Sequence, residues 1–108
     1  MNKDDMIAKM RAGRFIENNG RILRAINVLH EKYVGLEGVL YALPEIDEDD
    51  LLKAVNYLQD EGYIHVRDIV SKEPVLISDA SYKALEAKLT AKGIRLLAGV
   101  IKDPVVLI

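Results

Sequence analysis

The chain has 108 residues, 50% of them apolar and 30% charged, which suits one domain with a single core and excludes a disordered tail, because that much apolar content can offset the entropy lost on ordering. It contains no cysteine, so disulfides, thiolate zinc sites and cysteine nucleophiles are ruled out together. Its formal charge is −2, and no overall basic excess points to nucleic acid.

Charges interrupt every apolar run well short of the roughly 20 residues of a membrane span. The opening Met1-Asn2-Lys3-Asp4-Asp5 lacks the apolar stretch of a secretory leader. The expectation is a cytoplasmic protein, a single domain over 1–108, with no membrane partner. Residues 4–17 carry Met6, Ile7, Met10, Phe15 and Ile16 among charges, a helical pattern broken at Gly13, and predict a short helical extension over 1–17. Asn18-Asn19-Gly20 reads as a turn or a helix start. Ile22, Ile26, Leu29 and Tyr33 then recur at spacings of four, three and four, predicting a helix over about Asn19–Lys32 whose outer face shows Arg21, Arg24, Asn27 and Glu31.

After Gly35, the segment Leu36–Leu43 has room for about two helical turns before Pro44 closes it. Pro44-Glu45-Ile46 makes the connection to a third helix. Asp47 is its natural N-cap, and Glu48, Asp49 and Asp50 follow at the positive end of the macrodipole. Leu51, Val55 and Leu58 form the apolar stripe, and Gly62 supplies the stop.

Periodicity changes after that glycine. Tyr63–Val70 is rich in β-branched and aromatic residues and predicts a strand, with Ile64, Val66 and Asp68 on one face. Ser71-Lys72-Glu73-Pro74 has turn composition, and Val75-Leu76-Ile77 can return as a second strand. Ala84–Leu89 alternates like a strand, although Tyr82, Leu85 and Leu89 also fit a helix. Ser78–Lys83 carries no assignment. Thr90 can cap a final helix through Ile94, Leu96 and Leu97 to Gly99, and Asp103-Pro104 leads into the apolar Val105-Val106-Leu107-Ile108.

The expected class is α+β, mainly α with a small antiparallel β-hairpin. A three-helix core over 19–62 precedes a hairpin over 63–90, then a C-terminal helix and apolar tail over 91–108. Short helices with one apolar stripe each must share a core, so Leu51, Val55 and Leu58 should face Ile22, Ile26 and Leu29.

Two stretches carry a family resemblance. Leu51-x3-Val55-x2-Leu58-Gln59-Asp60-Glu61-Gly62-Tyr63-Ile64 resembles the end of the recognition helix in winged helix-turn-helix proteins. Leu89-Thr90-Ala91-Lys92-Gly93 resembles the junction where their last wing strand enters the C-terminal helix. Together they cover most of 19–98, in the manner of small bacterial and phage transcriptional regulators. The resemblance implies a homodimeric, double-stranded DNA-binding or transcription-regulatory module whose third helix enters the major groove. Lys53, Asn56 and Tyr57 would then read the groove, Arg67 and Lys72 would grip backbone from the wing, and Arg21 and Arg24, with Lys88 and Lys92 beyond the wing, would complete a phosphate-binding rim.

Charge by segment pulls the other way. Residues 1–33 hold seven basic and four acidic side chains, 34–62 hold one and eight, and 63–108 hold seven and five. The reading unit is thus the acidic part, and Asp49 and Asp50 would meet phosphates at like charge, which opposes counterion-driven binding. The same acids have an ordinary explanation in helix capping. The alternative function is a protein-interaction adaptor using the acidic face of the third helix; ligand-gated regulation between dimer halves is a third reading with no residue to support it.

Catalytic chemistry finds no footing. From Asp47 the calcium-loop template needs glycine sixth and glutamate twelfth, where Leu52 and Leu58 stand. His30 and His65 lack metal-ligand spacing, Gly35 and Gly38 lack the spacing and lysine of a phosphate loop, and Ser71, Ser78 and Ser81 lie outside any nucleophile elbow. No catalytic residue, metal or cofactor is expected. The apolar tail and the stripe Met6, Ile7 and Met10 are either buried within the monomer or paired across a two-fold axis.

Overall fold

In the computed structural model, which describes residues 2–28 and 32–108, the chain begins with one long helix. The Asn2 side chain accepts the Asp5 N–H at 2.8 Å and starts α1, Lys3–Asn27. This single helix replaces both the expected N-terminal extension and the first core helix. Gly13 does not break it, because a glycine in an exposed helix costs only about 1 kcal/mol relative to alanine. Asn18, Asn19 and Gly20 form no turn. They are buried, because residues 105–107 cross α1 there: Asn19 Nδ2 donates to the Val105 carbonyl at 3.0 Å and Leu107 N–H to the Ile16 carbonyl at 3.2 Å. A Cβ on Gly20 would collide with the Leu107 carbonyl, so packing has overridden turn composition. The expected continuation to Lys32 is also absent, since α1 ends at Asn27. The expected stripe residue Leu29, with His30 and Glu31, lies outside the described residues.

A two-residue strand β1, Val34–Gly35, which sequence reading missed, leads directly into α2, Leu36–Ala42. The third helix α3, Glu48–Asp60, opens as its sequence requires. Asp47 accepts the Asp50 N–H at 2.8 Å while Asp50 accepts the Asp47 N–H at 3.3 Å, a reciprocal box that satisfies two otherwise orphaned donors. Gly62 then takes the left-handed φ of 79° that turns the chain out of the helix.

Strands β2, Ile64–Asp68, and β3, Leu85–Leu89, resolve the ambiguity over residues 84–89 in favour of a strand. They pair antiparallel from Ile64 opposite Leu89 to Asp68 opposite Leu85. β1 pairs with the other edge of β3, so the sheet order is β1-β3-β2 and Ala87 lies between Val34 and Val66. Val75-Leu76-Ile77 is not the expected second strand. Its contact with β2 reduces to one bridge, Arg67 opposite Pro74, made by the Asp68 N–H to the Glu73 carbonyl at 2.9 Å and the Val75 N–H to the Val66 carbonyl at 3.1 Å; the Val75 carbonyl and Ile77 N–H, which a longer ladder would use, bond Gln59 instead. The chain then leaves β2 and passes through single helical turns at Ile77–Asp79 and Tyr82–Ala84 before entering β3.

Thr90 joins these parts. Its hydroxyl donates to the Gly62 carbonyl at 2.6 Å and accepts the Gly93 N–H at 3.0 Å, capping α4, Ala91–Leu97. The core is a single cluster in which Ile22, Leu23 and Ile26 of α1 meet Leu51, Val55 and Leu58 of α3, with Val66, Leu85 and Ala87 of the sheet closing one side. The α+β class therefore holds, with four helices and a three-stranded antiparallel sheet among the described residues. Of the tail, Val106 is buried, whereas Leu107 and Ile108 remain about half exposed.

Candidate functional site

Because Leu51, Ala54, Val55 and Leu58 turn inward, Asp49, Lys53, Asn56 and Asp60 stand exposed on the outer face of α3. The Lys53 ammonium is held by Asp49 at 3.0 Å on the same helix. An exposed pair of this kind contributes about 0.3–0.5 kcal/mol, so it is easily surrendered. Asn56 sits one turn further along. Asp47 and Asp50 are engaged in capping, and the acidic character of the start of α3 thus has a structural origin.

Tyr57 is placed differently. It lies half-buried on the flank facing α1, edge-on to Phe15 with ring centroids 5.7 Å apart, and its hydroxyl donates to Asp103 Oδ2 at 2.7 Å. The Tyr63 hydroxyl donates to the same oxygen at 2.7 Å. Burial, then the bond to Asp103, raises both phenols, pushing Tyr63 up to about 12. For Asp103 burial acts upward, but the two hydroxyls and the Val105 N–H outweigh it and hold the carboxyl below its usual value. Tyr57 therefore spends its hydroxyl on fixing the segment after α4.

On its other flank α3 borders a groove of about 570 Å³, with Glu48, Leu52, Lys53 and Asn56 on one wall and residues 77–82 on the other. Gln59 sets the position of that second wall. Its Nε2 donates to the Val75 carbonyl at 2.9 Å and its Oε1 accepts the Ile77 N–H at 3.0 Å. Ile77 and Tyr82 are anchored in the core, while Ser78 and Ser81 stay exposed.

The hairpin cations converge on one acid. Glu86 Oε2 lies 2.6 Å from Arg67 Nε and 3.3 Å from Lys72 Nζ, and the Arg67 guanidinium also stacks 3.5 Å over the Tyr33 ring. Burial acts upward on the Glu86 carboxyl, yet the bonds from Arg67 and Lys72 win and lower it. Arg21 lies 3.5 Å from Glu17 and 4.0 Å from Glu45. Arg24 donates to the Leu107 carbonyl at 3.1 Å, and Lys92 to the Glu61 carbonyl at 2.9 Å.

The residues singled out from sequence thus fall into separate groups. Lys53 and Asn56 share the α3 face, Arg67 and Lys72 share Glu86 on the hairpin, Arg21 lies between Glu17 and Glu45, and Arg24 holds the Leu107 carbonyl of the tail. Sequence reasoning missed Gln59 and Glu86, which organise the site. Glu86 carried a usable signal, an acid on a strand whose partner strand bears Arg67, whereas nothing local marks Gln59 as a bracket. Of the two histidines, His65 is exposed on β2, and among the described residues no group of His, Asp and Glu is arranged to hold a metal ion. No helix of the described residues is long and apolar enough to cross a membrane. Comparison with protein families, curated proteins and solved structures finds no significant match to this chain.

Proposed function

We propose that the chain is a winged-helix interaction module, without chemistry of its own, that holds a basic segment of a partner protein in the groove beside α3. The order α1-β1-α2-α3-β2-β3, with the β2–β3 hairpin following the third helix, supports the winged-helix reading. One observation carries the choice of partner: the cations a duplex would need already have acidic partners inside the chain, Lys53 in Asp49 and Arg67 and Lys72 together in the single carboxylate of Glu86. The groove offers what a cationic amphipathic segment needs. Leu52, Ile77 and Tyr82 supply apolar wall, and Glu48 lies at its edge, with exposed Asp49 and Asp79 nearby in the chain. A segment with leucine-like anchors and flanking lysines would bury the first and meet the second.

Duplex DNA is the second reading, favoured by the exposure of Lys53 and Asn56 three residues apart on α3, a spacing that puts both on one face. Binding there would require Lys53 to leave Asp49. Titrations with a labelled duplex at low and moderate salt, and with a leucine- and lysine-rich amphipathic peptide followed by amide NMR, separate the two. The adaptor reading expects peptide-induced shifts clustered at residues 48–56 and 77–82, lost in Glu48→Lys/Asp49→Lys, and no salt-sensitive duplex binding by the unaltered chain. Duplex binding that weakens as salt rises, with no clustered peptide shifts, would replace it by the DNA reading.

A further inference from the structure

On the α1 side of α3, away from residues 77–82, lies a second cleft of about 360 Å³, within the range of roughly 300–1,000 Å³ that small-molecule sites occupy. From α1 it is lined by Arg11, Arg14 and Asn18, and from the start of α3 by Asp47, Asp49 and Asp50. Arg11 and Arg14 are exposed and enter no ion pair among the described residues, unlike Arg21, Lys53, Arg67 and Lys72. Asn18 is only 3% exposed, yet its amide is half used. Its Oδ1 receives Arg21 Nη1 at a long 3.5 Å, and its Nδ2 donates to no described group, which leaves a deeply set donor for an acceptor in the cleft.

The acids opposite are fixed by the folding of α3 itself. In the reciprocal cap Asp47 accepts through Oδ1 and Asp50 through Oδ2, so each keeps one carboxylate oxygen without a donor among the described residues. Asp49 stands beside them, holding Lys53, the third cation of the lining. Three cations and three acids thus sum to no net charge, but they are segregated, with the unpaired guanidinium groups on α1 and the carboxylates on α3. A simple anion would meet the α3 carboxylates at like charge, and a simple cation would meet the arginines; a molecule that carries both charges satisfies both walls. We infer that this cleft binds a small zwitterion of the amino acid or short peptide class, its carboxylate taken by Arg11, Arg14 and the Asn18 amide and its ammonium by the carboxylates at the start of α3. The bound molecule would tie the exposed half of α1, a length of helix that is marginal in water without packing, to α3. The site does not rest on the partner assigned to the groove on the other flank.

Amide NMR of the full chain, titrated separately with L-alanine and with L-alanyl-L-alanine at about pH 6.5, where each has one positive and one negative end, tests the site and reads the preferred length. At least one of the two should give shifts at residues 11–18 together with 47–50, and slower hydrogen exchange at 11–15. The N-acetyl derivative of that ligand, which lacks the ammonium, and its C-terminal amide, which lacks the carboxylate, should each bind about tenfold or more weakly, the loss expected for one charge-assisted hydrogen bond. Arg11→Gln/Arg14→Gln, at exposed positions, should abolish the shifts while the rest of the spectrum stays that of the folded chain, and Asp49→Asn should weaken binding. Equal affinity for either blocked form, binding retained in Arg11→Gln/Arg14→Gln, shifts at 77–82 without any at 11–18, or no shift up to the solubility of both zwitterions would each overturn the proposal.

Discussion

Gln59 grips the backbone on both sides of Leu76: its amide donates to Val75 and accepts from Ile77 within 3.0 Å. This clasp holds an irregular segment against α3 and so determines the width of the groove. A side chain that satisfies one backbone donor and one backbone acceptor in a part-buried setting does so at both ends of a single residue, which no apolar replacement can reproduce.

Gln59→Leu should therefore destabilise the domain by about 1–2 kcal/mol, the net worth of two hydrogen bonds. The loss should be local. Urea unfolding gives the magnitude, and hydrogen exchange should show the Ile77 amide losing protection while amides in the centre of α3 keep theirs relative to global stability.

The shared acceptor Asp103 makes stability depend on pH at both extremes. Tyr63 is raised to about 12 in the folded chain from about 10 unfolded, so its contribution is complete below pH 10 and is lost as pH rises from about 10 towards 12. Asp103 is lowered, so its contribution is complete above about pH 4, its unfolded value, and disappears as pH falls through its folded value. Tyr63→Phe should flatten the alkaline limb of a stability profile, and Asp103→Asn should flatten both limbs. Thermal melts across the pH range measure this.

Removing Glu86 releases two cations at once. Glu86→Gln should cost about 1–3 kcal/mol through lost charge-assisted hydrogen bonds. It should also leave Arg67 and Lys72 without their shared acid, so the hairpin gains a positive patch. Weak, salt-sensitive affinity for duplex DNA is expected in this variant and not in the unaltered chain, read by fluorescence anisotropy at two salt concentrations.

Gly20→Ala separates helix propensity from tail docking. Alanine favours the helix by about 1 kcal/mol, but its Cβ meets the Leu107 carbonyl. The expected result is unchanged helix content with residues 105–108 lifted from α1, seen as faster trimming by carboxypeptidase and loss of protection at the Leu107 amide.

What the sequence made legible follows from how local each signal is. The stripe Leu51, Val55 and Leu58, the Asp47 cap and the Gly62 stop are written within a few residues, and α3 appears where they place it. Thr90 announces α4 in the same way. The long-range features were hidden. Asn18-Asn19-Gly20 looks like a turn until residues 105–107 cover it, and Val34-Gly35 is too short to signal a strand without Ala87 beside it. The site was half legible. The exposed pair Lys53 and Asn56 follows from helical periodicity, while Tyr57 looked equally available until Phe15 and Asp103, both distant in sequence, claimed its ring and hydroxyl.

The central position of β3 has a bearing on how the chain is made. During synthesis β1 is made some fifty residues before the strand that pairs with it, and α1 waits longer still for the residues that close over its middle. A nascent chain truncated before Leu85 can assemble helices but no sheet, and holding Val34 and Ile64 without their mate exposes bare strand edges to whatever chaperone or neighbour is at hand. The sheet is thus completed only once Leu85–Leu89 is free to join both edges.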